Sequence, residues 1–400
     1  MARAISFATF FLVSLAVLGG MHYYLWARLV RDPALPEPWR RVATVAVALA
    51  AIAIPAGLVA ARVAARPVAR IVPAAAFTWL GIAFLLFCAL VAIDLARLAA
   101  TGVAFAADLL RGGADAPPDP ARRAVLARAV AGTAALAAGS TGLVAFRSAT
   151  GPAEIHEVPV RLARLPHALS GLTIAQITDL HVGPTIGERA VRRVIEQTNA
   201  LRPDLVAITG DLVDGSVAEL GGTIAELGRL RAPHGVFFVT GNHEYYSGVD
   251  EWLAFLRRLG VRVLRNERVE VGGPGASLDL AGVDDWSAGR FGLGHGPDLP
   301  RALAGRDEDR ALVLLAHQPR GVGEAVRAGV DLQLSGHTHG GQIFPFNLLV
   351  GAVYPYVRGL HEHREGDRSG QIFVSCGTGY WGPPMRLGAP PEIAKIVLTA

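Results

Sequence analysis

Four hundred residues, 52% of them hydrophobic and 18% charged, with a mean hydropathy of +0.37, are too apolar for an ordinary soluble enzyme of this size. The net charge is +4, Lys395 is the only lysine and arginine supplies every other basic side chain; no basic stripe with interleaved aromatics accompanies it, so no nucleic-acid partner is expected. The two cysteines, Cys88 and Cys376, stand in neither metal-binding nor redox spacing, which excludes a disulfide framework.

The apolar excess lies almost entirely before residue 150, where Ala, Val and Leu dominate. Four stretches there, 5–26, 42–61, 71–93 and 124–146, reach the ~20 residues that a helix needs to cross a bilayer. None has the polar face of a helix in a soluble bundle, and Pro55 inside the second is tolerable in a membrane helix. Polar groups are few within them, so the region reads as an anchor and not as a channel. Residues 1–147 are thus expected to form a membrane domain of four transmembrane helices, 148–153 a linker, and 154–400 a globular domain large enough for one sizeable core.

Orientation follows from the arginines. Arg28, Arg31, Arg40, Arg41, Arg97, Arg111, Arg122, Arg123 and Arg128 flank one side of these stretches; Arg3, Arg62, Arg66, Arg70 and Arg147 flank the other. The positive-inside tendency makes the first side cytoplasmic, with both termini and the globular domain outside the cytoplasm. Arg122-Arg123-Ala124-Val125-Leu126, followed by a small-residue apolar run, resembles an internal twin-arginine export signal and agrees with that count.

From Leu172 onward strands and helices alternate. Strands are expected over 172–178, 205–209 and 236–240, helices over 188–201, 218–230 and 250–259. Beyond Val261 the pattern turns more purely β, with strands over 277–283, 311–316, 331–334, 372–375 and 393–398. The expected class is α/β, two packed sheets flanked by helices, with a site where strands end in loops.

Five short segments follow these apolar runs: Asp179-Leu180-His181, Gly210-Asp211, Gly241-Asn242-His243-Glu244, the lone His317, and Gly336-His337-Thr338-His339. Five strand ends would bring carboxylate, imidazole and amide groups to one sheet edge, a ligand set for two adjacent divalent metal ions. Such ions lie ~3.5–4 Å apart and need a bridging ligand; Asp211 is the natural bridge, with Gly210 permitting a sharp turn. Asp179 and His181, at i and i+2, would point the same way from an extended backbone and grip one ion, and His337 and His339 share that spacing. Oxygen and nitrogen donors without thiolate suit manganese, iron or zinc. A binuclear hydrolase of phosphate esters is the chemistry this set predicts. His156, His167, His234, His295, His361 and His363 have no comparable setting.

In order and spacing the segments resemble the calcineurin-like metallophosphoesterase superfamily, with its D-x-H, G-D, G-N-H-[DE], H and G-H-x-H blocks, over residues 154–400. Gly340-Gly341-Gln342, the stretch from Gly377 to Arg386, and Pro391-Glu392-Ile393 are similar to a membrane-attached branch that includes YkuE, YaeI and transmembrane proteins with a metallophosphoesterase domain. The resemblance implies an αββα sandwich. It implies that Asp179, His181 and His339 bind a first ion, that Asn242, His317 and His337 bind a second, and that Asp211 bridges. His243 would stay free of metal and protonate the leaving alkoxide while a hydroxide between the ions attacks phosphorus in line. Glu244 would orient His243 or else lie exposed at a helix start. Arg386 and Tyr380 are candidates for phosphate contact or for an ordinary packed loop.

The leading expectation is a membrane-anchored phosphoesterase of the phosphodiesterase type, favouring diesters or pyrophosphates. A second is a lipid-linked pyrophosphatase resembling UDP-diacylglucosamine hydrolases, and a third, of another class, is a non-catalytic scaffold on the same fold. The intact ligand set, His243 included, counts against the third.

Overall fold

A computed structural model describes residues 2–63, 66–111, 120–273 and 275–400, side chains excepted for 2–8, 10, 62, 66–67, 108–111 and 120. The chain divides into two compact units, residues 1–146 and 147–400. The described residues of the first unit are helical apart from a turn at 32–38, with α1 (Ala2–Trp26), α2 (Trp39–Val63), α3 (Arg66–Arg111) and the greater part of α4 (Pro120–Thr150). Among the described residues three helical stretches, not the four expected, are long and apolar enough to cross a membrane: Trp39–Ala61, Val68–Ala107 and Ala121–Thr150. The remaining expected span falls on α1, several of whose side chains lie outside the described ones. At 1.5 Å per residue, the 40 residues of Val68–Ala107 reach ~60 Å, about twice a hydrocarbon core.

Polar groups inside this unit are better organised than the sequence suggests. The Tyr24 hydroxyl donates to Asp94 at 2.6 Å, and Arg28 pairs with the same carboxylate and with Asp32 at 2.7 Å. The Trp79 indole donates to Nε2 of buried His22 at 3.0 Å, and Arg128 donates to the Pro33 carbonyl at 3.0 Å. In an apolar setting each of these groups needs a partner, so the pairs pin α1 to α3 and α4 to the turn after α1.

The second unit opens with strand β1 (Glu154–Arg161) and continues through β2 (Thr173–Ile177), α5 (Glu188–Ala200), β3 (Leu205–Ile208), α6 (Val217–Ile224), β4 (Val236–Phe238), α7 (Asn242–Tyr246), α8 (Val249–Arg258), β5 (Arg262–Val263), β6 (Glu267–Gly273) and β7 (Ala276–Gly282). Then come α9 (Leu299–Ala302), β8 (Leu312–Leu315), α10 (Val322–Arg327), β9 (Leu332–Ser335), α11 (Phe346–Val353), β10 (Gly359–Glu365), β11 (Arg368–Val374) and β12 (Glu392–Thr399). They build two six-stranded mixed sheets, ordered β1-β12-β2-β3-β4-β5 and β10-β11-β9-β8-β7-β6. Strands β2 to β5 run parallel, as do β7, β8, β9 and β11.

Alternation along the strands explains the layering. In β3, Leu205 and Ala207 join the core between the sheets, with Leu280, Val313 and Leu334. Val206 and Ile208 face the other way, onto Val191, Val194, Trp252 and Leu256. Those side chains recur at helical spacing: α5 buries Val191, Val194, Ile195 and Thr198, and α8 buries Val249, Trp252, Leu253 and Leu256, one stripe per helix. Helices α9 and α10 cover the far face of the second sheet. The result is two packed sheets between helical layers, as expected. Ser216 and Glu219 start α6 with a capping box. The expected helix 218–230 shortens to α6 and a 3-10 turn, Ala225–Arg229.

Candidate metal centre

The expected ligands all stand just beyond the carboxyl ends of parallel strands: Asp179 after β2, Asp211 after β3, Asn242 after β4, His317 after β8 and His337 after β9. Parallel strands from both sheets end on the same side there, as in open α/β sites. The local backbone differs from the expected extended form. Asp179, His181, Asp211, His337 and His339 have φ of 53°, 48°, 50°, 71° and 52°, in the left-handed region that non-glycine residues seldom occupy. Left-handed turns, and not strand pleat, deliver the paired side chains. Five such residues in one site are strained backbone held by its surroundings.

The side chains converge into three overlapping groups: Asp179, His181 and His339; His181, Asp211 and His243; and Asp211, His317 and His337. Nε2 atoms of His181 and His339 lie 3.1 Å apart, with Asp179 Oδ1 3.4 Å from the latter. Asp211 Oδ2 is 3.1 Å from His317 Nε2, 3.8 Å from His181 Nε2 and 3.9 Å from His243 Nε2. His337 Nδ1 is 3.2 Å from His317 Nε2. Asp211 therefore belongs to two of the three groups. Asn242 Oδ1 is buried with no hydrogen-bond partner. An orphaned carbonyl oxygen beside these donors is what a hard or borderline cation would satisfy.

Most rings are held by their second nitrogen, the usual way of aiming a metal-binding imidazole. His181 Nδ1 lies 3.2 Å from Asp214, His317 Nδ1 donates to the Thr209 carbonyl at 2.8 Å, and His337 Nε2 meets the Tyr354 hydroxyl at 2.7 Å. His339 Nδ1 lies 3.1 Å from the Arg386 guanidinium. His243 is held by the same Asp214 carboxylate, at 2.5 Å from its Nδ1, and its backbone N–H donates to Asp211 at 2.8 Å.

Electrostatics divide the set. Burial pushes Asp211 up, but His317 and His243 beside it outweigh this and hold it well below the usual range. Burial likewise opposes a proton on His243, yet Asp211 and Asp214 push its pKa up to about 9. Burial and then His317 push His337 down to about 3, and burial with Arg386 holds His339 well below its ordinary value. Burial opposes a proton on His317 too, yet Asp211 beside it pushes its pKa well above the ordinary value, so His337 and His339 are kept neutral while His243 and His317 hold protons against the neighbouring carboxylates.

The expectation for Glu244 needs correction, and for Arg386 and Tyr380 the packed-loop alternative holds. Glu244 neither touches His243 nor lies exposed: it is fully buried and accepts from the backbone N–H of Asp211, Leu212 and Gly241 at 3.0, 2.7 and 2.6 Å. Asp214 takes the role of orienting His243; its signal in the sequence was a second aspartate three residues after Asp211. Arg386 is buried and donates to the carbonyls of His339, Cys376 and Gly379 at 2.9, 2.6 and 3.0 Å. Tyr380 donates to Thr185 O at 3.1 Å. Both belong to a packed loop. Tyr354 has no signal in the sequence at all.

Residues 172–341 match the model of the calcineurin-like phosphoesterase family. The chain is 41% identical to the transmembrane protein with metallophosphoesterase domain of Bos taurus, over 64% of this chain and 60% of that protein. It is 37% identical to an uncharacterised metallophosphoesterase of Aquifex aeolicus, over 61% and 91%, and 30% identical to the uncharacterised metallophosphoesterase YkuE of Bacillus subtilis, over 61% and 85%. It spans about three fifths of the length of the vertebrate relatives. With this site, this fold and these relatives, the chain belongs to the calcineurin-like metallophosphoesterases.

Proposed function

We propose that the chain is a membrane-anchored, metal-dependent phosphoric ester hydrolase that favours diesters or pyrophosphates. In this reading Asp179, His181 and His339 hold one divalent ion, Asn242, His317 and His337 a second, and Asp211 is shared. The ions, manganese, iron or zinc, supply Lewis acidity that activates a water and offsets charge developing on the phosphoryl oxygens. His243 carries the proton that the leaving oxygen requires, and Asp214 fixes its ring so that Nε2 faces the site. Buried Glu244, by fixing the amides of Asp211, Leu212 and Gly241, keeps the Asp211 and His243 loops in register.

The observation that carries the reading is the division of labour around Asp211. Asp179, His181, His317, His337 and His339 gather with Asp211 in overlapping groups, while His243 is tied to Asp214 through Nδ1 and its pKa is pushed up to about 9. A non-catalytic scaffold would have no use for His243 held in this way. A lipid-linked pyrophosphatase remains the second reading, favoured by the long apolar helices. The arginine count favours a catalytic domain outside the cytoplasm; Arg28, Arg31 and Arg128 gathered around the turn after α1 support it.

The test is purified full-length protein in detergent with chromogenic mono- and diesters and added manganese, before and after chelation. Hydrolysis should need metal and prefer the diester. Equal activity in Asp211→Asn, or none in the wild type with any metal, sinks the enzymatic reading. Reporter fusions at the C-terminus that act only in the cytoplasm would reverse the sidedness.

A further inference from the structure

Beside the metal centre lies an apolar rim that packing does not require. Helix α11, Phe346–Val353, buries none of its residues. Leu348 and Leu349 are 65% and 63% exposed, and Phe344, Phe346 and Val353 are exposed with them. A helix this apolar normally buries a face. The rim adjoins the candidate ligands at both ends. It starts five residues after His339–Gly341, with Asn347 packed onto Gly341, and it ends at Tyr354, which bonds His337. Gln342 ties it to exposed Trp381 by two bonds, to Trp381 O at 2.9 Å and from Trp381 N at 3.0 Å. The Trp381 ring stands 5.8 Å from that of His243.

Two further observations say what covers this rim. The last helix long and apolar enough to cross a membrane ends at Thr150, and its final turn belongs to the second unit, where Ala149 packs with Ile186 and Tyr380. Tyr380 is the immediate neighbour of Trp381, so this final turn, inside the second unit, packs one residue from the rim. Basic groups flank the rim as well: exposed Arg320 lies over the Tyr354 ring at 4.7 Å, and Arg358 is exposed four residues after Tyr354. Exposed Leu, Phe and Trp bordered by arginine have the composition of an element that dips into an anionic lipid interface.

We infer that α11 with Phe344 and Trp381 is an interfacial element that inserts among acyl chains, and that the substrate is a phosphoester carrying a hydrocarbon chain, drawn from the bilayer across this rim. The inference rests on the proposed phosphoesterase activity and names its substrate class. The hydrocarbon lies along α11 while the phosphoryl group reaches the ligand cluster and the leaving oxygen reaches His243.

Two arms test it on the full chain in nanodiscs of phosphatidylcholine and phosphatidylglycerol. In the first, an environment-sensitive fluorophore is placed at Leu349→Cys in a Cys88→Ala background, with Glu251→Cys as control, and doxyl-labelled lipids are added. Quenching at 349 and not at 251 is expected; equal quenching at the two, or none at 349, overturns the insertion. Self-association that Leu348→Asp/Leu349→Asp abolishes, with position 349 shielded from the doxyl lipids, would instead assign the rim to a second copy and overturn it too. In the second arm, p-nitrophenyl ethyl phosphate is compared with p-nitrophenyl dodecyl phosphate. The wild type should favour the dodecyl ester by at least ~10-fold in kcat/KM, the equivalent of about two methylenes withdrawn from water. Leu348→Asp/Leu349→Asp should lose that preference and keep ethyl-ester hydrolysis within about twofold. Equal rates on the two esters overturn the substrate class alone, whereas no hydrolysis of either sinks the phosphoesterase reading itself, with the quenching arm still deciding on insertion.

Discussion

Asp214 and Tyr354 act on the site through other residues, and their effects should separate from those of His243. Replacing His243 by Gln removes the proposed proton donor but no proposed ligand. It should lower kcat by ~10²-fold or more while the metal content, read by mass spectrometry, stays at two ions per chain. Tyr354→Phe removes the hydroxyl on His337 and should weaken metal affinity by about 10- to 100-fold, measured by competition with a chelating dye. The pH response of the metal-free protein belongs to this scale as well. His243 titrates at about 9 in the fold and near 6.5 in an unfolded chain. Its charged form therefore stabilises the fold fully below about pH 6.5, and this contribution is lost as pH rises through about 9. Melting temperature of the chelated protein should fall across that window, and less so in Asp214→Asn, where one of the two carboxylates that hold the proton is gone.

The loops that follow the strands have almost no room. A methyl group on Gly241 would overlap the Asp211 carboxylate, and one on Gly336 would overlap Asp179. Gly241→Ala and Gly336→Ala should each abolish tight metal binding while the sheets and their cores persist, seen as unchanged far-ultraviolet circular dichroism. These glycines were legible in the sequence as members of the ligand segments. The close approach of a carboxylate was not, because it depends on two loops from different strands meeting. The same limit applies to the i, i+2 pairs. The spacing of Asp179 and His181 suggested an extended backbone, and the side chains met for another reason, since left-handed turns at both residues, with Leu180 between them, gather them instead. Strands β1, β5, β6 and β10 escaped the sequence reading. In β10, His361, Glu362, His363 and Arg364 give no apolar face, and its pairing with β11 supplies what the sequence alone does not.

At the scale of the whole molecule, the proposed metal ions are expected to govern stability. A cation that binds only the folded state stabilises it by mass action, ~4 kcal/mol at a thousand times its Kd. Chelation should therefore lower the melting temperature of the second unit together with the activity, and manganese should restore both. Residue order alone was enough for the apolar N-terminal region, the α/β class and the candidate donor segments, because hydrophobic periodicity and residue chemistry are local properties. The order of the five segments also sufficed to suggest a two-metal site. Only the tertiary structure decided which groups hold which. Asp214 reaches two imidazoles, Glu244 is buried among amides, Arg386 serves carbonyl oxygens, Tyr354 supports His337, and an apolar helix is left uncovered at the rim. Each of these is a contact or an exposure set by residues distant in the chain, and no pattern within one segment encodes it.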